Sequence, residues 1–357
     1  MSSVCSLTCL RVLVALCLPL AAVAQRAGTF VTFQVSGSGD GMETSGLNDG
    51  GEIVGLFQAT RSKVEGFVRA ADGTIAAFKP PKADPAKGTY PEAINDGGVV
   101  TGYYSTKHVS HGFVRSAKGK FTAFDAPGVG TGDGEGTFPF AINSTGAIAG
   151  YYSDPATGNS HGFVRAPDGS VTSFDPPDAI QTIPRSVNDA GAITGNYLDA
   201  SVASHGFLRA ADGTMTIIDA PGAAQLGTVA YAVNATGVVA GYYADASGLY
   251  HGFVRAADGT IAAFQDSSAG SGAGLGTLPM AINGRGEIAG FYVDANNSHH
   301  GFVRSPSGAM KTIDAPGAST TASQGTIISA GGINRSGSVA GSYIDTGGAY
   351  YGFLWTP

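Results

Sequence analysis

Disulfide cross-links can play no part in most of this chain, because its three cysteines, Cys5, Cys9 and Cys17, all lie within the first 24 residues. Whatever folds beyond them is held by its core alone. A chain of 357 residues is long enough to bury one. Charge is sparse, at 13% of residues, and acidic side chains outnumber basic ones by 27 to 20. The resulting net charge of −7 argues against nucleic acid or an anionic membrane surface as a partner. Long apolar runs are also missing. The one candidate, residues 12–24, falls short of the roughly 20 residues that a bilayer span needs. No Gly-x-Ser-x-Gly elbow, His-Glu-x-x-His pair or nucleotide-binding glycine fingerprint occurs, so the enzyme classes built on them lose support.

That short apolar run follows Arg11 and ends in Ala22-Val23-Ala24, with small residues where a signal peptidase reads. Export with cleavage before Gln25 is therefore expected, residues 1–24 being a signal peptide and residues 25–357 one domain. A lipoprotein anchor at Cys17 is the alternative, disfavoured by the bulky Leu16 before it. Glycine is abundant, at 55 residues, which suits short strands joined by tight turns and not helices.

Internal repetition decides the fold class. Gly-Phe recurs at Phe67, Phe113, Phe163, Phe207, Phe253, Phe302 and Phe353. Asn-x-x-Gly recurs seven times, at Asn48, Asn95, Asn143, Asn188, Asn234, Asn283 and Asn334. A short strand closing on Phe33, Phe78, Phe124, Phe174, Ile218, Phe264 or Ile313 is the third marker. Each copy reads as four strands, with Asn-x-x-Gly and Asp-Gly as hairpin turns. The copy after Ile313 supplies only three, and residues 29–35 supply the missing one. The expected fold is thus all-β, a seven-bladed β-propeller closed by its N-terminal strand. The tight turns then share one face. The crossovers and the variable third-to-fourth-strand hairpin loops, such as 153–160, share the other, where function is expected.

The recurrent His-Gly-Phe-Val-Arg at His111, His161, His251 and His300, with His205 in a Leu variant, resembles the motif of bacterial extracellular HAF-repeat proteins. The resemblance spans essentially the whole chain after the leader. Glycine stands for that family's middle Ala, and Arg stands where Trp is often seen; only Trp355 matches the latter. It implies export and repeat architecture, and it assigns no activity.

Three constellations bear on chemistry. Four of the repeated histidines follow an Asp (Asp154, Asp199, Asp245, Asp294) by six or seven residues, a pairing suited to a general base or to support of a metal ligand. Repetition around a ring points instead to buried structural hydrogen bonds, as in WD-repeat propellers. The seven asparagines read as turn residues that bond their own loop. In the loop 130–136, Asp133 and Glu135 are the candidate calcium ligands, but the loop lacks EF-hand spacing and has only two charged ligands, so a solvated linker is the favoured reading. Paired tyrosines (Tyr103-Tyr104, Tyr151-Tyr152, Tyr242-Tyr243) should each place one ring in the packing and leave the other partly open.

Regular repeats without a unique polar cluster point to an exported, non-enzymatic binding or surface-interaction propeller. It needs no cofactor and would take a glycan or protein partner. A carbohydrate-active hydrolase or lyase using loop residues is the second expectation, and a purely structural envelope protein the third.

Overall fold

The computed structural model describes residues 28–357 apart from 39–40, 61–62, 85 and 226. The expected signal peptide and cleavage before Gln25 fall outside the described residues. Those described form 28 strands and no helix. The third copy shows how the sequence builds each set. Thr137–Ile142, Ile148–Ser153, Ser160–Arg165 and Val171–Phe174 pair in that order, each antiparallel to the next. Asn143 to Gly146 close the first hairpin. The Gly146 N–H donates to the Asn143 carbonyl at 3.1 Å, and Gly146 sits at φ +88°, a left-handed conformation that costs glycine little. The loop 153–160 joins the second and third strands, not the third and fourth as expected, because the Asp-Gly turns already occupy the latter junction.

Three sheets have four strands and two have eight. Each eight-stranded sheet is two four-stranded sets joined by a single parallel bridging pair, Ser160 with Gln181 in one and Tyr250 with Gly276 in the other. Thr29–Phe33 pairs antiparallel with Tyr350–Thr356 and completes a four-stranded sheet with the last three strands. The expected role of the N-terminal strand is borne out in that pairing.

The core lies between successive sheets. All seven Gly-Phe phenylalanines are fully buried. Around Phe163, for example, gather Ile142, Ile148 and Tyr152 of its own set, with Val114 and Phe124 of the set before. Each such ring contributes about 1.5–3 kcal/mol by burial. The Arg that ends the motif reaches back in the same direction. Arg165 lies 4.9 Å from the Phe124 ring, and Arg69, Arg115, Arg209 and Arg304 repeat the contact on Phe33, Phe78, Phe174 and Phe264. The third sequence marker of one copy is thus tied to the first marker of the next.

The asparagines close the assembly. Each accepts N–H bonds from its own turn through Oδ1, as Asn188 does from Ala192 at 2.9 Å. Each also donates from Nδ2 to the backbone carbonyl of the next asparagine. Asn48 bonds Asn95, Asn95 bonds Asn143, Asn143 bonds Asn188 and Asn188 bonds Asn234. Asn234 then bonds Asn283, Asn283 bonds Asn334, and Asn334 returns to Asn48 at 3.3 Å. The circuit is buried and continuous. Outside it runs a second, partial one, in which Asp49, Ser144 and Arg335 donate backbone N–H groups to Asp96, Asp189 and Asp49.

Replacing Asn188 by Asp keeps the Oδ1 acceptor for Ala192 and removes only the donor to Asn234. Urea unfolding of N188D is expected to show a loss of about 1–3 kcal/mol, the cost of an unsatisfied buried carbonyl facing a carboxylate. A near-neutral result would mean that the turn alone explains the residue.

Candidate functional site inside the asparagine ring

The strand leading into each asparagine carries a β-bulge. In the third copy the pairing steps from Pro139 to Ala141 and leaves Phe140 unpaired. The same step frees Ser45, Glu92, Arg185, Tyr231 and Met280. In the seventh copy the irregularity widens to 329–332. The second strand accommodates the bulge with glycine. A Cβ on Gly150 would collide with the Phe138 carbonyl oxygen, and Gly55, Gly102, Gly195, Gly241, Gly290 and Gly341 meet the equivalent carbonyls.

The freed side chains converge. Glu92, Phe140, Arg185, Tyr231 and Met280, with Ala330 and Gly331, line a cavity of about 180 Å³. A second space of about 240 Å³ is lined by the asparagine turns themselves. The two share a collar of Leu47, Ile94, Ile142, Val187, Val233 and Ile282. The collar repeats an aliphatic residue in copy after copy, whereas the bulge layer does not repeat. The expectation of no unique polar cluster therefore fails here, because the unpaired residue of a bulge neither packs between sheets nor joins the ladder and so escapes the repeat.

Arg185 is held in a defined pose. Its Nε donates to Asn196 Oδ1 at 3.3 Å, and its guanidinium lies 5.8 Å from the Phe140 ring and 5.5 Å from the Tyr231 ring. Glu92 makes no hydrogen bond to another described residue, and its accessible surface faces the cavity. Burial pushes its carboxyl up to about 8; the Arg185 charge opposes this and the Glu43 charge adds to it. An aromatic band runs beside the pair. Tyr90 stacks on Tyr103 at 4.8 Å, Tyr103 meets Phe138 edge-on, and Phe138 stacks on Tyr151 at 4.8 Å. Burial raises Tyr103 and Tyr151, with the Glu92 charge contributing to both, and pushes Tyr242 up to about 12. As expected, Tyr104, Tyr152 and Tyr243 are packed, and their partners Tyr103, Tyr151 and Tyr242 stay partly open.

The repeated histidines lie elsewhere, one on the third strand of each of five sets. The expected partners are in place, since Asp154, Asp199, Asp245 and Asp294 come within 3.0–3.5 Å of His161, His205, His251 and His300. The histidines are partly exposed and not buried as expected, with the tyrosine before the loop packed against each and stacked on His205, His251 and His300. A second carboxylate was not foreseen. Asp125, Asp175, Asp219 and Asp314, fourteen residues on, accept at Nδ1 of His111, His161, His205 and His300 at 2.6–2.9 Å. Partial burial pulls His161 and His205 down, but the two carboxylates outweigh it and their pKa values rise. In the first copy the pair is reversed in sign, Glu65 facing Lys79 at 3.8 Å. The constancy of the arrangement and its charge-swapped copy fit a strand clamp.

Asp133 and Glu135 are placed but not brought to a common centre. Asp133 contacts His108 Nδ1, and Glu135 Oε2 accepts the Gly132 N–H at 2.6 Å. Among the described residues no group of three His, Cys, Asp or Glu side chains gathers to hold a metal ion. One signal in the sequence accompanies the axial site that the motifs missed. The third residue before each repeat asparagine reads Ser45, Glu92, Phe140, Arg185, Tyr231, Met280 and Gly331, a column that varies widely in chemistry directly ahead of a small residue and an aliphatic one.

Glu92 should cost the fold stability above its ordinary pKa. The unfolded carboxyl ionises near 4.5, whereas the folded one keeps its proton until about 8, so stability falls as pH rises between those values. Thermal unfolding of E92Q is expected to show a gain on the order of 1–3 kcal/mol at pH 8 that disappears at pH 4.5. No gain at pH 8 would place the carboxyl in a solvated environment.

No family model matches the chain, and no curated protein matches it by sequence. Solved structures do. The β-propeller domain of the Trilobed protease from Pyrococcus furiosus aligns with a TM-score of 0.59 at 10% identity, over 88% of this chain and 93% of that one. That domain is described as having an open velcro topology, whereas here the first and last described strands pair. A lectin, BP39L from Burkholderia pseudomallei, aligns at 0.52 with 11% identity, over 86% of this chain and 94% of its own. Puromycin hydrolase aligns at 0.54 with 15% identity over 88% of this chain, which spans 53% of that enzyme. At such identities the likeness shows the fold alone, and the fold is a β-propeller.

Proposed function

We propose that this chain is an exported, seven-bladed β-propeller that binds a small polar ligand in the cavity inside its asparagine ring and does not turn it over. Counting each eight-stranded sheet as two blades gives the seven, in step with the seven-membered asparagine circuit. The apolar leader at residues 12–24 supports export, and the His-Gly-Phe-Val-Arg motif supports kinship with HAF-repeat proteins. One observation carries the binding reading: three polar bulge residues, Glu92, Arg185 and Tyr231, fall at one repeat position and face one cavity. Ligand pockets are typically concave with a few convergent polar groups that fix orientation, and three such groups meet here. The lectin among the similar structures supports binding as a use of this architecture.

A second reading, a carbohydrate-active hydrolase, is favoured by Glu92, whose raised pKa would suit a general acid and which feels a second carboxylate, Glu43.

Thermal unfolding of the purified protein with D-galactose, D-galacturonate and an oligogalacturonide tests both. A ligand present at a hundred times its Kd adds about 2.7 kcal/mol, enough to raise the midpoint by a few degrees. At least one probe is expected to do so, and Met280→Trp, which fills the cavity, is expected to abolish the shift while keeping a single sharp transition. No shift with any probe, or a shift that survives M280W, overturns the binding site. New reducing ends released from the oligogalacturonide would replace binding with hydrolysis.

A further inference from the structure

We propose that the ligand is a small hydroxylated carboxylic acid of the sugar-acid class, with its carboxylate on the Arg185 guanidinium and its hydroxyl groups on Glu92 and Tyr231. The proposal rests on the axial cavity being the binding site.

Arg185 shares the cavity with the Glu92 carboxyl, and its charge acts on that group without a direct contact. No ion pair joins it to a carboxylate among the described residues, and its one hydrogen bond uses Nε, which leaves the two terminal nitrogens of the fork uncommitted. Arg185 is half-buried, so part of its hydration is lost with no ion pair in its place. Fixing it between two rings adds an ordering cost, and both are recovered when a planar carboxylate takes two parallel N–H bonds. The second strand confirms that the pose is specified. Where neighbouring copies place Tyr103, Tyr151 and Tyr242, the fourth copy places Asn196, the residue that accepts from Arg185 Nε. Two departures from the repeat, one on each strand, serve a single guanidinium.

The remaining groups choose among anions. Glu92, facing Arg185, Glu43, Tyr103, Tyr151 and Tyr231, holds its proton at neutral pH and so offers a hydroxyl donor as well as an acceptor. Tyr231 offers another on the same wall, and its hydroxyl has no partner within the described protein. A phosphate dianion would call for more than one cation or a nest of backbone N–H groups, and neither lines the cavity. At about 180 Å³ the space is smaller than the roughly 300–1,000 Å³ of drug-sized pockets, which suits one sugar ring. Above about pH 8 Glu92 ionises and opposes an anion, so affinity for the acid should fall there.

Isothermal titration of the full-length mature protein with D-galacturonate, D-galactose and inorganic phosphate, at pH 6.5 and pH 9, tests this. Galacturonate is expected to bind at least tenfold more tightly than galactose or phosphate. Arg185→Gln should weaken it tenfold or more, and Arg185→Lys should fall between, keeping the charge without the fork. The loss of affinity at pH 9 should shrink in E92Q. If R185Q fails to give a cooperative melt, R185K carries the comparison. Galactose binding as well as galacturonate, with M280W abolishing both, would overturn the acid while leaving the cavity as the site. Phosphate binding as tightly as galacturonate, or R185Q binding like wild type, would overturn it too. Failure of all three probes would remove both readings.

Discussion

The bond from each asparagine side-chain amide to the carbonyl of the next turn is the constraint on which the rest depends. Asparagine is the residue that can make it and still build the turn. Its Oδ1 must accept from its own loop while its Nδ2 donates outward, both at short reach and both buried. Aspartate has no donor, and glutamine carries an extra methylene that would overrun the neighbour. Because the seventh bond returns to the first residue, no turn can shift without breaking bonds on both sides. The ring thereby sets the spacing of the inner strands. Everything outside it, the Phe163-type cores and the Arg165-on-Phe124 contacts, packs into spaces of that width.

A ring of identical bonds leaves little room for individuality, and the bulge is where the fold permits it. The bulged residue is unpaired, so its identity affects neither the ladder nor the packing between sheets. The glycine opposite it, and not the bulged residue itself, makes the kink possible. Six copies can therefore place Ser45, Glu92, Phe140, Arg185, Tyr231 or Met280 at one position without disturbing the scaffold. The chemistry that results is a raised carboxyl and a sandwiched guanidinium facing one small space. Such a combination lowers stability and is retained where a site needs it.

Much of this was legible because repetition amplifies weak local signals. Seven Gly-Phe pairs located the fully buried rings, and seven Asn-x-x-Gly turns located the inner hairpins. The surplus strand near Phe30 located the pairing with Tyr350–Thr356. The bonds from Asp154 to His161 and from Asp245 to His251 followed from hairpin spacing. The partners at Asp175 and Asp219 did not, because they come from beyond the following strand, where only the three-dimensional return of the chain brings them near. The bulge was hidden for another reason. Pro139-Phe140-Ala141 reads as ordinary strand, and one extra residue reverses the direction of the side chain without any mark in composition. Arg185 and Glu92 thus belong to no motif of the sequence. Only the column of variation before each asparagine, combined with closure of the ring, brings them together.

Glu92 is the residue through which the axial site is most directly examined. Its carboxyl carbon, followed by ¹³C NMR in protein labelled at glutamate and assigned by loss of the signal in E92Q, should titrate with a midpoint near pH 8. That result would mean a carboxyl enclosed in a cavity inside the ring. A midpoint near 4.5 would mean that the bulge opens Glu92 to bulk water, and would contradict the enclosed polar site on which the functional reading stands.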